Sequence, residues 1–339
     1  MDFRRLTSPI MAAPMAGGPS TPELVAAVCQ AGGYGYLAAA YKSVDAVREQ
    51  IQATRALTAK PFGVNVFVPA VLDSVRQSAA VRAYAERLES YAVKWDVTMP
   101  EPWWADTDSF AEKIDLLVAD PVDGVSFTFG LPGRSVIDRL HAVGTSVTIT
   151  VTDLAEARAA VAQGADVLCA QGCEAGGHRS THQVEARPNE MTTLALVQAL
   201  HSEFSCPLIA AGGITSAEEV VAVCRAGAAA AQVGTMFLLT DQAGTSAAHR
   251  AGLQDPDLSE LVVTRAFSGR PARGLRNAFV AAEDAHAPSV FPVVDQLTKP
   301  LRAAAASRGD HQHVSLWAGN GWRRAAVGSA AAVVGDLTP

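Results

Sequence analysis

Three segments of this chain repeat one order of residues, and that repetition limits the possible folds more than any other feature. Each segment begins with a residue suited to cap a helix and ends, at the same spacing, with a glycine: Thr21–Gly32, Asp153–Gly164 and Ser216–Gly227. An apolar run, typical of a strand, follows each glycine. A strand, a crossover helix and a second strand place the two strands parallel to each other. The sequence therefore predicts an α/β fold built on a parallel sheet.

Five further apolar runs bring the number of predicted strands to eight, which is the number in a TIM (β/α)8 barrel. The predicted strands are Ile10–Ala13, Tyr36–Ala40, Phe62–Val66, Gly124–Phe127, Ser146–Val151, Val167–Ala170, Leu208–Ala210 and Ala229–Val233. An open, doubly wound sheet is the alternative, but evenly spaced units favour a closed barrel. A chain of 339 residues has room for such a barrel and an additional lobe.

Two parts of the sequence lack the strand–helix rhythm. We predict that residues 70–110 and 239–310 form a smaller, mostly helical lid or substrate domain over the C-terminal mouth of the barrel. The barrel would then comprise residues 1–69 and 111–238, with residues 311–339 packing back on it. The elements predicted for the lid are helices over Val71–Tyr91, Ser246–Leu253 and Gln296–Ser307 and a hairpin over Leu261–Asn277.

Composition and charge argue against several classes of protein. A net charge of −7 without a basic stripe disfavours nucleic acid as a main partner. The N-terminus lacks the apolar core of a signal peptide, and no apolar run reaches the roughly 20 residues of a membrane helix. The five cysteines, an odd number, indicate free thiols in a reducing compartment. We expect a soluble, cytoplasmic protein, with a homodimer as one option.

Two glycine-containing turns suit the binding of an anion. Gly212-Gly213 follows one predicted strand and precedes the helix that Ser216 caps, with Glu219 placed to complete a capping box. Gly234-Thr235 follows the next strand. Glycines let main-chain amides approach a phosphate, and the helix N-terminus adds its dipole. The same glycines also suit tight turns between strand and helix, so from this stretch the two interpretations have equal weight.

Small and polar residues follow other strands, at the end of a barrel where enzymes carry their sites. Residues 13–15 precede two glycines, where the main chain can approach a flat ring. Asn65 is a polar amide between valines that can both donate and accept, as the imide edge of a flavin requires. Gln171 occupies the position in its unit that Gly234 occupies in the last one, and we therefore expect it in the barrel mouth.

His178 lies on a glycine-rich loop after the sixth strand, directly after Gly176-Gly177. An imidazole titrates near neutral pH, so His178 is the candidate general base. The alternative is a histidine that hydrogen-bonds the main chain and shapes the loop. Cys169, Cys173 and His182 lie nearby, but the spacing of this group matches no common zinc site, and we predict no metal.

Two further patterns carry less information. Gly33–Ala38 matches the dinucleotide fingerprint G-x-G-x-x-A, but it follows a helix and opens a strand, which is the reverse of the required context. Thr264–Asn277 holds four arginines among glycines. We interpret it as a solvated hairpin, with guidance of an anionic substrate to the mouth as the alternative. Lys299 could also guide such a substrate.

Six motifs, in order along the chain, resemble those of the bacterial class I nitronate monooxygenases, formerly called 2-nitropropane dioxygenases. The motifs are APMAGGPSTPELVAAVCQAGG, PFGVNVF, SFTFGLP, AQGCEAGGHRST, AAGGI with GAAAAQVGTMFL, and TRAFSGRPARGLRN. Together they cover most of the chain, and six motifs in register are far more specific than any one of them.

The resemblance implies a TIM barrel that binds FMN non-covalently and oxidises alkyl nitronates, such as propionate 3-nitronate, with O2 to a carbonyl compound and nitrite. It implies that His178 removes the α-proton of a neutral nitroalkane, and mainly orients the substrate when a nitronate is bound. The positions that would contact FMN are Ala13, Pro14, Met15, Asn65, Gln171, Gly176, Gly177, Ala211, Gly212, Gly213, Gln232, Val233, Gly234 and Thr235.

The chain departs from the family where the substrate would bind. Relatives commonly place tyrosines there, whereas Trp103, Trp104 and Phe291 occupy these regions here, with Lys299 nearby. We take these four residues as candidate substrate contacts in a pocket that could accept a different substrate.

Two other functions remain open. Flavin reductases that use NAD(P)H and act on an enoyl thioester or a quinone share the barrel, and the enoyl reductases also have an ESGGH-like loop. A barrel that binds a ligand without turnover is the third hypothesis. It is disfavoured because Asn65, Gln171 and His178 are expected to converge on one mouth.

Overall fold

Eight runs of buried residues in the computed structural model, which describes Phe3 and residues 6–339, close into one parallel barrel. The barrel order is β1-β2-β3-β4-β5-β6-β8-β9, and neighbouring strands pair in parallel. The barrel strands are β1 (Ile10–Ala12), β2 (Tyr34–Ala38), β3 (Gly63–Phe67), β4 (Gly124–Thr128), β5 (Ser146–Val151), β6 (Val167–Gln171), β8 (Leu208–Ala211) and β9 (Ala228–Val233). The predicted TIM barrel is confirmed.

Helices alternate with the strands and cover the outside of the barrel, and others form a second layer. They are α1 (Pro22–Gln30), α2 (Val44–Leu57), α3 (Ser74–Trp95), α4 (Phe110–Ala119), α5 (Arg134–Ala142), α6 (Leu154–Gln163), α7 (Thr193–Glu203), α8 (Ala217–Arg225), α9 (Ala247–Gln254), α10 (Ala278–Glu283), α11 (Val293–Ser307) and α12 (Ala330–Leu337). None of the helices in the described residues is long and apolar enough to span a bilayer.

The repeated cap residues do what their spacing predicts. The side chains of Thr21, Asp153 and Ser216 each accept a hydrogen bond from a main-chain amide in the first turn of α1, α6 and α8. The capping box of α8 differs from the prediction in one respect. Glu219 accepts from the amide and the hydroxyl of Thr215, at 2.6 and 3.0 Å, rather than from the amide of Ser216. The box therefore fixes the residue before the cap as well as the helix start.

Two predicted elements are displaced along the sequence. β2 begins two residues before the predicted start, since the buried run extends to Ala40 but the hydrogen-bonded ladder ends at Ala38. α3 begins at Ser74 rather than at Val71, because Asp73 caps the helix and accepts from the amide of Arg76 at 3.0 Å. Apolar periodicity therefore misplaces these boundaries, whereas the cap marks the start of α3 correctly.

Two tyrosines from β2 fill the interior of the barrel. Tyr34 and Tyr36 are buried, with ring centroids 5.2 Å apart, and their hydroxyls lie 3.2 Å from Asp123 Oδ2 and 3.3 Å from Thr148 Oγ1. Small neighbours make room for them, since a Cβ on Gly63 would lie 2.3 Å from the Tyr36 ring. The lower barrel is thus a packed core, and the site lies above it.

A second hydrophobic core lies beside the barrel. α3 and α11 pack together there with residues of an antiparallel sheet made of β10 (Leu261–Thr264), β11 (Ala272–Leu275) and β7 (Gly177–His178). The hairpin of β10 and β11 is present as predicted. It is not solvated as expected, however, because the side chain of Arg270 between its strands is completely buried.

The capping box of α8 can be tested with a matched pair of variants. Glu219→Ala removes both hydrogen bonds to Thr215, and we expect it to lower the free energy of unfolding by about 1 kcal/mol. Glu218→Ala is the control, because it removes the same charge from the same helix turn at an exposed position. Urea unfolding measures both, and equal losses would contradict a capping role for Glu219.

Candidate active site

A cavity of about 450 Å³ opens at the C-terminal ends of the barrel strands. All fourteen positions predicted to bind the cofactor line this cavity, as do His178 and Lys299. The side chains therefore come from nearly every barrel strand and from the second core. One cavity brings together the residues that the sequence analysis selected from widely separated motifs.

Three of the four candidate substrate residues lie elsewhere. The side chain of Trp103 is 61% exposed, and its main chain exchanges two hydrogen bonds with the amide of Gln296, at 2.9 and 3.1 Å. Trp104 packs against the second core. Phe291 is buried behind the cavity wall, with its ring 5.8 Å from that of His178. Of these four residues, Lys299 alone lines the cavity.

The two glycine turns form one end of the cavity. Gly212 and Gly213 have φ values of +116° and +70°, and a Cβ on Gly213 would lie 2.7 Å from Cβ of Glu174. Among the described residues, the amides of Gly213 and Thr235 have no hydrogen-bond acceptor. Unpaired amides beside glycines with this backbone geometry are suited to hold a phosphate. This end of the cavity is therefore suited to the phosphate group of a ligand.

Asn65 is buried at the base of the cavity and is oriented by its neighbours. Its Nδ2 donates to the main-chain oxygen and the hydroxyl of Ser126, at 3.2 and 2.9 Å, and to Thr128 Oγ1 at 2.9 Å. The amide nitrogen is thus fully used within the protein. The remaining Oδ1 can accept a hydrogen bond from an N–H group of a ligand, such as that of a flavin imide.

Gln171 holds the loop that carries His178. Its Nε2 donates to the main-chain oxygen of His178 at 3.1 Å, and its Oε1 accepts from the amide of Ser180 at 2.9 Å. The loop is also fixed from the other side, because His178 pairs with Ala272 of β11. His178 is therefore positioned through its main chain by both the barrel and the second core.

The His178 ring is enclosed by aromatic side chains. Phe129 and Trp317 both lie 5.5 Å away between ring centroids, and Nε2 lies 2.8 Å from Ser268 Oγ. The loss of water around the ring, with the positive charges of Arg270 and Arg302, lowers the pKa of His178 to about 3. His178 is thus neutral at physiological pH, with one ring nitrogen unprotonated. The same shift makes it a weak base unless a nearby anion stabilises the imidazolium.

Cationic groups and unpaired donors surround the same side of the cavity. Lys299 is exposed at the mouth, with Nζ 5.8 Å from the centre of the Tyr41 ring. The Tyr41 hydroxyl and Nε of Arg302 are buried without a hydrogen-bond partner in the described structure. Burial raises the pKa of Tyr41 well above its usual value, so its hydroxyl keeps its proton. Arg302 itself pairs with Asp295 at 2.6 Å. The arrangement favours an anionic ligand.

Two aromatic residues that line the cavity, Tyr41 and Phe129, were not predicted from the sequence. Each follows a barrel strand and has a left-handed backbone, with φ of +65° and +77°. Such strain in a non-glycine residue is typical of functional sites. Their positions after β2 and β4 are a signal that could have identified them. Trp317, Arg302 and Ser268 come from segments outside the barrel and carry no comparable local signal.

The nearby cysteine and histidine residues form other contacts. Gln232 Nε2 lies 3.5 Å from Cys169 Sγ, and His182 Nε2 lies 3.0 Å from the main-chain oxygen of Thr150. No group of three or more His, Cys, Asp or Glu residues suited to a metal ion occurs in the described part of the chain. All five cysteines are free thiols.

Solved structures of two other proteins share this fold to different degrees. The crystal structure of nitroalkane oxidase from Streptomyces ansochromogenes matches with a TM-score of 0.94 and 43% identity, over 98% of this chain and 95% of that one. The structure of FabK from Thermotoga maritima matches with a TM-score of 0.75 and 25% identity, over 99% and 93%. The architecture is therefore more similar to the first of these proteins than to the second.

Sequence comparisons also find nitronate monooxygenases among the relatives. The nitronate monooxygenase of Pseudomonas aeruginosa is 38% identical over 326 residues, which cover 93% of this chain and 91% of the relative. A probable nitronate monooxygenase of Staphylococcus saprophyticus is 35% identical, over 92% and 88%. A family model described as nitronate monooxygenase matches residues 3–339. With a match of this length and relatives this similar along most of its sequence, the chain belongs to the nitronate monooxygenase family of oxidoreductases.

Proposed function

We propose that this protein is an FMN-dependent enzyme that oxidises alkyl nitronates with O2 to a carbonyl compound and nitrite. The observation that carries the proposal is the combination, in one cavity, of a neutral His178 with cationic groups and unpaired donors. Family membership supports the oxidation of nitronates in general. Bound FMN would supply a reversible electron carrier between the nitronate and O2.

The cofactor would be held mainly by main-chain groups and small side chains. The amides of Gly213 and Thr235 would donate to the phosphate, and Oδ1 of Asn65 would accept from the imide of the ring. The Thr235 hydroxyl is used within the protein, because it accepts from the amide of Gly319 at 3.0 Å. That bond fixes the C-terminal segment against the phosphate end of the cavity.

The substrate would be recognised as an anion. A carboxylated nitronate such as propionate 3-nitronate offers two negative groups, and Lys299 at the mouth is suited to the carboxylate. Tyr41 and Arg302 each offer a buried donor that has no hydrogen-bond partner among the described residues. Neutral His178 adds no positive charge of its own. It accepts the α-proton when the bound compound is a neutral nitroalkane, and the resulting anion stabilises the imidazolium.

A reductase that uses NAD(P)H and acts on an enoyl thioester or a quinone is the weaker candidate. FabK shares the barrel at a TM-score of 0.75, but the overlap with the nitroalkane oxidase is closer, at 0.94. The two functions differ in the source of electrons, and one pair of measurements therefore separates them.

The first experiment measures turnover by the purified protein. We expect a flavin absorption spectrum, and O2 consumption with nitrite release when propionate 3-nitronate is added in air. We expect no rapid bleaching by NADPH in the absence of oxygen. Bleaching by NADPH without nitronate turnover would instead support a reductase. A preparation that neither contains nor binds FMN would contradict the flavin site itself.

The phosphate end can be tested with two glycines that have the same φ of +70°. Gly213→Ala places a Cβ against Glu174 and should weaken FMN binding about tenfold or more, since 1.4 kcal/mol corresponds to that factor. Gly309→Ala creates the same backbone strain where nothing lies within 4 Å, and FMN affinity should be unchanged. Titration of the apoprotein by flavin fluorescence measures both. Equal affinities would show that Gly213 does not shape the phosphate site.

The role of His178 is tested by two forms of one substrate. His178→Asn removes the base, so kcat/KM for nitroethane should fall by about 100-fold or more. Oxidation of ethyl nitronate needs no proton removal and should change only a few-fold. Steady-state O2 consumption measures both reactions. An equal loss for the two compounds would show that His178 is not the base.

A further inference from the structure

Ser268 lies at the centre of three polar contacts behind His178. Its Oγ is 2.8 Å from Nε2 of His178, 3.3 Å from the main-chain oxygen of Arg270 and 3.3 Å from the main-chain nitrogen of Arg270. The side chain is 1% exposed, so it has no bulk water as an alternative partner. Ser268 does not line the cavity, whereas His178 does. Nε2 of His178 therefore faces away from the ligand.

The Ser268 hydroxyl has one proton to donate, and the groups around it determine which one accepts that proton. The Arg270 amide can only donate, and it donates to Ser268 Oγ. The Arg270 carbonyl can only accept, and among the described residues no other group donates to it. If Ser268 gave its proton to His178, this buried carbonyl would have no donor, which is unfavourable for a polar group away from water. All three contacts are satisfied when Ser268 donates to the carbonyl and His178 donates to Ser268.

We propose that Ser268 is a positioning residue that fixes His178 in the tautomer with the proton on Nε2. A neutral imidazole carries one N–H, so Nδ1 is then the nitrogen with a free lone pair. Nδ1 has no hydrogen-bond partner in the described part of the chain. The inference about the tautomer stands on these contacts, and its catalytic consequence rests on the proposed function.

The consequence is a defined route for the proton of a neutral nitroalkane. The α C–H bond breaks, the proton passes to Nδ1, and the electron pair of the bond remains on the substrate, which becomes the nitronate. The imidazolium keeps its hydrogen bond from Nε2 to Ser268 throughout, and it returns the proton on Nδ1 to solvent. The opposite tautomer would place an N–H group toward the substrate and could not accept the proton.

The segment that carries Ser268 is anchored by contacts that do not involve the His178 side chain. The guanidinium of Arg270 lies 4.0 Å from the centre of the Phe129 ring, and its Nη1 donates to the main-chain oxygen of Thr181 at 2.6 Å. Arg270 thus ties the hairpin to the loop downstream of His178. The position of Ser268 is set by this contact and by the main-chain pairing of β7 with β11.

The tautomer can be measured directly by 15N NMR of the flavin-loaded protein with labelled histidine. The His178 signals are assigned as those absent from His178→Asn. We expect Nε2 to have the shift of a protonated nitrogen and Nδ1 that of a bare one, near neutral pH. A proton on Nδ1 in the unmodified protein would overturn the proposal. This readout is independent of activity, so a protein that oxidised no nitronate would contradict the proposed function alone.

Variants test whether Ser268 is the cause. In Ser268→Ala, we expect the two nitrogens to show mixed protonation, and kcat/KM for nitroethane to fall about tenfold or more while ethyl nitronate oxidation changes little. Ser268→Thr keeps the hydroxyl and should restore the single tautomer. Ser8→Ala removes another buried serine hydroxyl, which bonds Thr338 at 2.7 Å, and should change neither readout.

Two results with Ser268→Ala would overturn its role. One is an unchanged Nε2–H tautomer, and the other is an equal loss for nitroethane and ethyl nitronate. If Ser268→Ala does not fold, the spectrum of the unmodified protein and that of Ser268→Thr still decide the proposal. A tautomer that differs between these two would also count against it.

Discussion

Main-chain pairing between His178 and Ala272 joins the barrel to the second core, and the site depends on this contact. The loop after β6 leaves the barrel, pairs for two residues with the hairpin, and returns. Main-chain pairing fixes the register of the loop more firmly than side-chain packing would. It therefore brings Ser268 and Arg270 to the back of the imidazole.

Electrostatics and burial act together at this site. Arg302 and Lys299 line the cavity, and Arg270 packs against Phe129 in its wall. Asp295 pairs with Arg302. Burying unpaired cations costs free energy, and a bound anion would recover part of that cost. The loss of water around His178, with the charges of Arg270 and Arg302, keeps its imidazole neutral. The site therefore combines affinity for anions with an unprotonated ring nitrogen. Neither property requires a change in the shape of the protein.

The fold could be predicted from the sequence because its signals are local. A cap residue, an apolar helix face and a glycine lie within one unit, and their repetition predicts the barrel without knowledge of distant contacts. The positions that line the cavity could also be selected from the sequence, because most of them follow strands. Tyr41 and Phe129 follow strands as well, but their left-handed backbone has no sequence signature in an aromatic residue. Ser268 and Trp317 reach His178 only through the tertiary fold.

The tyrosines inside the barrel affect the path by which small molecules reach the site. Tyr34 and Tyr36 fill the interior below the site, because both are buried and their hydroxyls contact Asp123 and Thr148 at the adjacent strands β4 and β5. Small molecules that use the site would then enter and leave at the C-terminal ends of the barrel strands, where the cavity opens. Anything that narrows this opening would slow the entry of substrate and the release of product together. The opening could therefore control the rate of passage without changing the chemical step.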